Sequence, residues 1–200
     1  MADTDTDFAA LIGSRICHDL ISPVGAINNG LELLLMSGMN MSPEVALIDE
    51  SVRNASARLR FFRVAFGSGT TQPVAAQETT DILRDLYAQS KWEVIWPVGV
   101  APSRSALRMV FLGLLCLETG MPYGGRIEIE HRTTGWDITG TADRLNINAA
   151  LWGVLAGQPL AERLLPAQVQ FGLLPAIVKD SGQQLKSIVT ETTITLSIKD

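Results

Sequence analysis

With 200 residues, 46% of them apolar, the chain is long enough to bury a core, as one large domain or two small ones. A net charge of -5 and a pI near 5.1 speak against a nucleic-acid surface, because phosphate backbones attract clustered Lys and Arg. The acidic start Met1–Asp7 is no secretion signal, and the most apolar stretch, Met109 to Leu117, falls far short of the roughly 18–20 residues that span a bilayer, so a soluble, cytoplasmic chain without membrane or nucleic-acid partners is expected.

Residues 8–66 read as a helical hairpin. In the first helix Leu20, Val24, Ile27, Leu31 and Leu34 recur at alternating steps of four and three residues. In the second, Val45, Ile48, Val52, Ala55, Leu59, Phe62 and Phe66 do the same. Both patterns are heptad seams of the kind that pack helices at shallow angles. Gly38 suits the C-terminal stop of the first helix, Ser42 the cap of the second, and Pro43 its first position. Gly67 to Gly69 ends the second helix, and the stretch to Ala76 reads as a linker. The expected division is therefore a hairpin over 1–69 and a second domain over 77–200.

Two helices alone make a poor core, and Leu33 to Met36 is apolar around a whole turn. A second copy of the hairpin, forming a dimeric four-helix bundle, is the simplest cover. Packing on the chain's own C-terminal half is the other.

In that half Asp81 to Ser90 reads as a helix and Trp92 to Trp96 as a strand. Ser105 to Glu118 forms a strongly apolar helix. Arg126 to His131 and Trp136 to Thr141 alternate like strands around a turn at Thr133 to Gly135. Helices over Asn148 to Leu155 and about Pro166 to Ser181 precede a terminal hairpin from Leu185 to Ile198. The whole is an α+β fold, a helical hairpin followed by a two-layer α/β sandwich. Cys17 and Cys116 each sit in an apolar helical pattern, as reduced, buried thiols do.

His18 departs from the pattern around it. At about 100° per residue it lies about 200° from Leu20, on the face opposite the seam. Its helical neighbours Ser14, Arg15, Ile21 and Ser22 form a mostly polar patch. Pro23 stands five residues on, inside an otherwise continuous helix, where a proline costs about 3 kcal/mol and should kink the chain. Asp19 offers a carboxylate to orient the imidazole. A metal site from Cys17 and His18 is disfavoured, since adjacent residues point about 100° apart on a helix. The other histidine, His131, reads as a surface residue ending a strand.

The string Arg15-Ile-Cys-His-Asp-Leu-Ile-Ser-Pro23 resembles the H-box of histidine kinase dimerisation domains: His, an acid, two variable residues, Ser or Thr, then Pro. His18, Asp19, Ser22 and Pro23 match position by position. The extension Val24 to Leu34 resembles, more narrowly, the ChpT-type histidine phosphotransferases of alphaproteobacteria. That resemblance implies a C-terminal domain similar to the kinase ATP-binding domain. Leu107 to Leu117 resembles the helix that carries the Mg²⁺-binding asparagines, but Gly113 and Leu117 stand in their places, and leucine cannot ligate a hard cation. Asp143 resembles a remnant of the adenine loop, without its glycines. Only Gly172 remains of the glycine-rich stretch over the phosphates, with Pro175 following it. The implied domain is a degenerate one without ATP chemistry.

The resemblance implies a relay. A receiver domain of a hybrid histidine kinase donates phosphate to His18, and response regulators accept it. The chain holds no cofactor of its own, since Mg²⁺ comes with the receiver. Imidazole suits this work because it is largely neutral at pH 7 and keeps a nucleophilic nitrogen. Nε2 would attack in line while Asp19 holds the proton on Nδ1. In an antiparallel hairpin His18 lies level with about residue 62, so Arg58, Arg60 and Arg63 fall within about a turn of it. They could steer an acidic receiver, or simply answer the helix dipole. Ile21 is the candidate apolar docking contact. A non-catalytic dimeric adaptor that binds receivers and an ATP-dependent kinase fragment are the alternatives.

Overall fold

The computed structural model describes residues 2–38, 40–67, 72–160 and 163–200, with backbone alone for 2–12 and 14. The Ser14 side chain and residues 68–71, where the first domain and the linker were expected to meet, lie outside the described residues.

The hairpin consists of α1 (Ala2–Met36) and α2 (Pro43–Ala65). Gly38, at φ 93°, takes the left-handed conformation that ends α1. The Ser42 hydroxyl accepts from the Val45 N–H and Pro43 opens α2, as the sequence pattern requires. Near the open end, a Cβ on Gly13 would lie 3.1 Å from the Phe66 carbonyl oxygen, so glycine there lets the two helices approach closely.

The seam on α1 is rotated from its expected position. Cys17 is buried, and Ile21, Val24, Asn28, Leu31 and Leu35 are half-buried, whereas Leu20, Ile27 and Leu34 are 45%, 52% and 45% exposed. The helix carries two apolar stripes side by side. The one that α2 covers runs through Cys17 and Ile21, and the other half of the heptad pattern faces outward. Ile48 on α2 is likewise 50% exposed.

The rest of the chain is α3 (Ala76–Tyr87), β1 (Trp92–Ile95), α4 (Arg104–Gly120), β2 (Gly125–Arg132), β3 (Gly135–Thr141), α5 (Ala149–Leu155), a 3₁₀ turn (Pro166–Gln168), α6 (Val169–Asp180), β4 (Gln184–Val189) and β5 (Thr193–Lys199). Six α-helices and one five-stranded sheet, in the order β1-β2-β3-β5-β4, make a mixed α+β fold among the described residues. Only β1 and β2 run parallel. Alternation in the strands sorts Ile127, Ile129, Ile138, Ile194, Leu196 and Ile198 onto the buried face and Arg126, Glu128 and Glu130 onto the solvated one.

Helix α4 fills the space between this sheet and α2. Ser103 caps it through the Ala106 N–H, and Leu107, Val110, Phe111, Leu112, Leu114 and Leu117 are fully buried. The Gly124–Gly125 pair serves the turn into β2: both have positive φ, and a side chain on Gly124 would collide with the Lys91 carbonyl. No helix among the described residues is long and apolar enough to cross a membrane.

Candidate functional site

His18 stands near the middle of α1 with its side chain 80% exposed. The rotation of the seam explains why. The buried stripe passes through Cys17 and Ile21, and His18, one step of about 100° from Cys17, is carried out into solvent. The helix runs on through Pro23, which has no N–H to offer the Asp19 carbonyl one turn earlier. The site therefore contains a backbone acceptor that an unbroken helix would have closed.

Asp19 organises the ring. Its Oδ1 lies 3.2 Å from Nδ1 of His18, while its Oδ2 accepts from Nε of Arg15 at 2.8 Å. The hydrogen bond with His18 leads in holding the Asp19 carboxyl below its usual range; slight burial opposes it, and the charge and hydrogen bond of Arg15 assist. An ionised Asp19 accepting at Nδ1 favours the tautomer protonated there, which leaves the lone pair on Nε2. Ser22 and Pro23 are exposed one turn beyond, on the same helix. The structure brings Arg15, His18 and Asp19 together.

The remaining candidates separate. Ile21 is half-buried against α2, so it is not the exposed docking contact that the heptad pattern suggested; its place in the α2-facing stripe explains this. Of the three arginines, Arg63 stays exposed by the first helix, where its charge partly offsets the burial that raises the Cys17 thiol pKa. Arg60 turns toward α3 and binds Asp85 at 2.7 Å. Arg58 donates to Asn54, and its charge reaches the pair formed by Tyr87 and Glu118, whose side chains meet at 2.6 Å. Burial raises the Glu118 pKa, against the hydrogen bond from Tyr87 and the charges of Arg58 and Lys91. The sequence pattern gave no signal for Asp85 or Glu118, because a partner fixed in three dimensions leaves no periodic trace.

The positions matched to a nucleotide site have different surroundings among the described residues. Gly113 and Leu117 face the sheet, next to Ile138 and Gly140. Asp143 lines a cleft of about 470 Å³ with Tyr123 and Arg144. Gly172 meets Leu164. Gln170 on α6 bridges to α4 through the Leu115 carbonyl and the Thr119 hydroxyl, and Phe171 packs edge-on against Trp152. His131 lies exposed near the end of β2, 4.5 Å from the Trp136 ring.

Residues 76–193 match the family model of the histidine phosphotransferase C-terminal domain. Over 126 residues the chain is 40% identical to the protein phosphotransferase ChpT of Brucella abortus (strain 2308), a match covering 62% of this chain and 60% of that protein. A solved bacterial phosphotransferase superposes with a TM-score of 0.70 at 29% identity, covering 98% of this chain and 96% of that one. The family model falls wholly within the half that lacks His18, whereas the solved relative spans both halves.

Proposed function

The chain belongs to the histidine phosphotransferase family, and on that premise we propose that it relays phosphoryl groups between receiver-domain aspartates through His18, without using ATP. The observation that carries this reading is the exposed imidazole whose Nδ1 is held by Asp19, itself clamped by Arg15.

In the transfer step, Nε2 attacks the phosphorus of a receiver's aspartyl phosphate in line. The P–O bond to the aspartate breaks, its electron pair returns to the carboxylate, and Nδ1 keeps its proton against Asp19. The reverse exchange loads the next receiver. Charge builds on the equatorial phosphoryl oxygens; Mg²⁺ carried by the receiver would offset part of it, and Arg63, exposed on α2 with its charge reaching Cys17, is placed to assist. The donor is a hybrid kinase's receiver, and the acceptors are response regulators.

Two observations support the absence of ATP chemistry. The glycine and leucine in place of the kinase asparagines turn onto the sheet, and Gln170, Phe171 and Trp152 occupy the ground between α4, α5 and α6. The exposed stripe of Leu20, Ile27 and Leu34, with Ile48 of α2, supports a homodimer that closes a four-helix bundle. By helical geometry His18 lies on the other side of α1 from that stripe, so each copy would present one open imidazole.

The test uses the full chain and a receiver domain labelled on its aspartate. Wild type should acquire acid-labile, base-stable label, and His18→Ala should acquire none while still binding the receiver. Label that persists in His18→Ala would sink the assignment. Equal signalling by both proteins would favour the adaptor.

A further inference from the structure

On the His18 side of the hairpin, α1 and α2 form one wall of an open groove of about 840 Å³. Glu32, which lines it, lies about 40° from His18 around α1 and about 21 Å farther along it, and Arg60 and Asp85 line the end of the groove level with His18. The opposite wall is the end of α3 and residues 88–92 leading into β1. The groove is thus bounded by both halves of the chain, and its width depends on the angle between them.

That angle is held at the level of His18. Gly13 meets Phe66 and Cys17 feels the charge of Arg63, so the antiparallel register sets residues 60–62 beside the imidazole's turn. There Phe61 stacks on Phe111 of α4, with centroids 4.3 Å apart and planes 5° apart. The stack resists separation, and its hydrophobic part is non-directional, so it alone does not fix the angle between the halves. Direction comes from the neighbouring residue. Arg60 donates to Asp85 at 2.7 Å, with side chains 37% and 34% exposed. Burial pushes the Asp85 pKa up, but the hydrogen bonds from Arg60 and Arg84 outweigh it and hold the carboxyl below its ordinary range. Arg58, two residues earlier, faces the Tyr87–Glu118 pair across the same junction.

We propose that the Arg60–Asp85 ion pair is a positioning device for phosphotransfer, fixing the C-terminal domain against the hairpin so that the groove admits a receiver in register with His18. The inference rests on the relay reading above. It assigns Arg60 to the interior of the machine, as a positioning residue that acts through the domain it holds.

The experiment uses the full chain as wild type, Arg60→Ala, Asp85→Asn, the double variant and Arg60→Lys. Each is tested for labelling by phosphoramidate, a small donor that needs no docking, and for transfer from a phosphorylated receiver domain. Spin labels on Ser37→Cys and Thr190→Cys report the distance between the two halves. Phosphoramidate labelling should be the same in all. Transfer should slow at least about tenfold in Arg60→Ala and Asp85→Asn, since small misplacements of reacting groups are costly. The double variant should be no slower than either single one, the signature of a shared pair, and Arg60→Lys should recover most of the rate. The distance distribution should broaden where transfer slows. Unchanged transfer, effects that multiply in the double variant, or slowing with an unchanged distance distribution would overturn the proposal. Failure of the relay reading looks different: wild type itself would take no label from either donor, while the spin labels still report on the pair.

Discussion

Helices α1 and α4 have similar mean hydropathy over their full lengths but opposite fates. Leu107, Val110, Phe111, Leu114 and Leu117 of α4 are sealed on every side by the sheet, α2 and α6, whereas Leu20, Ile27, Leu33 and Leu34 of α1 remain 45–66% exposed. The difference lies in the neighbours, not in the composition. A helix that is apolar all round needs several partners, and α1 has α2 along one stripe. The half of the molecule that is sealed is therefore distinct from the half that stays open to solvent, and the two are joined at Phe61.

The most damaging way to probe this contrast is to open the sealed helix. Phe111→Ala removes a fully buried ring that stacks on Phe61 and should cost about 3–5 kcal/mol. Urea unfolding at two protein concentrations checks it, because loss of a core residue should appear at both alike. The glycines give a finer comparison. A Cβ on Gly120 of α4 would stand 2.6 Å from Ile194 and 2.8 Å from the Trp152 ring, so Gly120→Ala should destabilise by about 1–3 kcal/mol. Gly25 of α1 has nothing within 4 Å of such a Cβ, so Gly25→Ala should instead stabilise by about 0.5–1 kcal/mol. Equal signs in thermal unfolding would show that the two helices are packed alike after all.

The site was legible because its chemistry is local. His18, Asp19 and Arg15 lie within five residues, and helix geometry alone carries one beside the next. The strands were legible for the same reason, since Arg126 to His131 and Trp136 to Thr141 alternate with a period of two. What eluded sequence reasoning was the choice between adjacent stripes. The heptad through Leu20 and Ile27 and the stripe through Cys17 and Ile21 are both apolar, and nothing in one strand of sequence says which of them α2 covers. Ile21 was misplaced for that reason. The ion pair of Arg60 left no trace in the sequence, because its partner, Asp85, is remote along the chain and belongs to no repeating pattern. Gly113 and Leu117, the positions matched to kinase asparagines, belong to the turns of α4 that meet the sheet, where Ile138 and Gly140 determine what fits.

The smallest expected effect on the fold is also the sharpest test of the contrast. Ile27 is 52% exposed on the stripe of α1 that no element covers among the described residues. A charge there finds water already present, so Ile27→Asp should change the stability of the isolated subunit by no more than about 0.5 kcal/mol. If a second copy covers the stripe, the same carboxylate must be desolvated among leucines, and association should be lost. Sedimentation velocity would then show a single monomeric species for the variant and a dimer for wild type. The melting temperature should depend on protein concentration in wild type alone, because binding the folded state stabilises it by mass action. Val24, half-buried against α2, gives the control: Val24→Asp should lower stability at every concentration. Were Ile27→Asp instead to melt early as a monomer, the outward stripe would belong to the subunit's own core, and the division between a sealed half and an open half would fail.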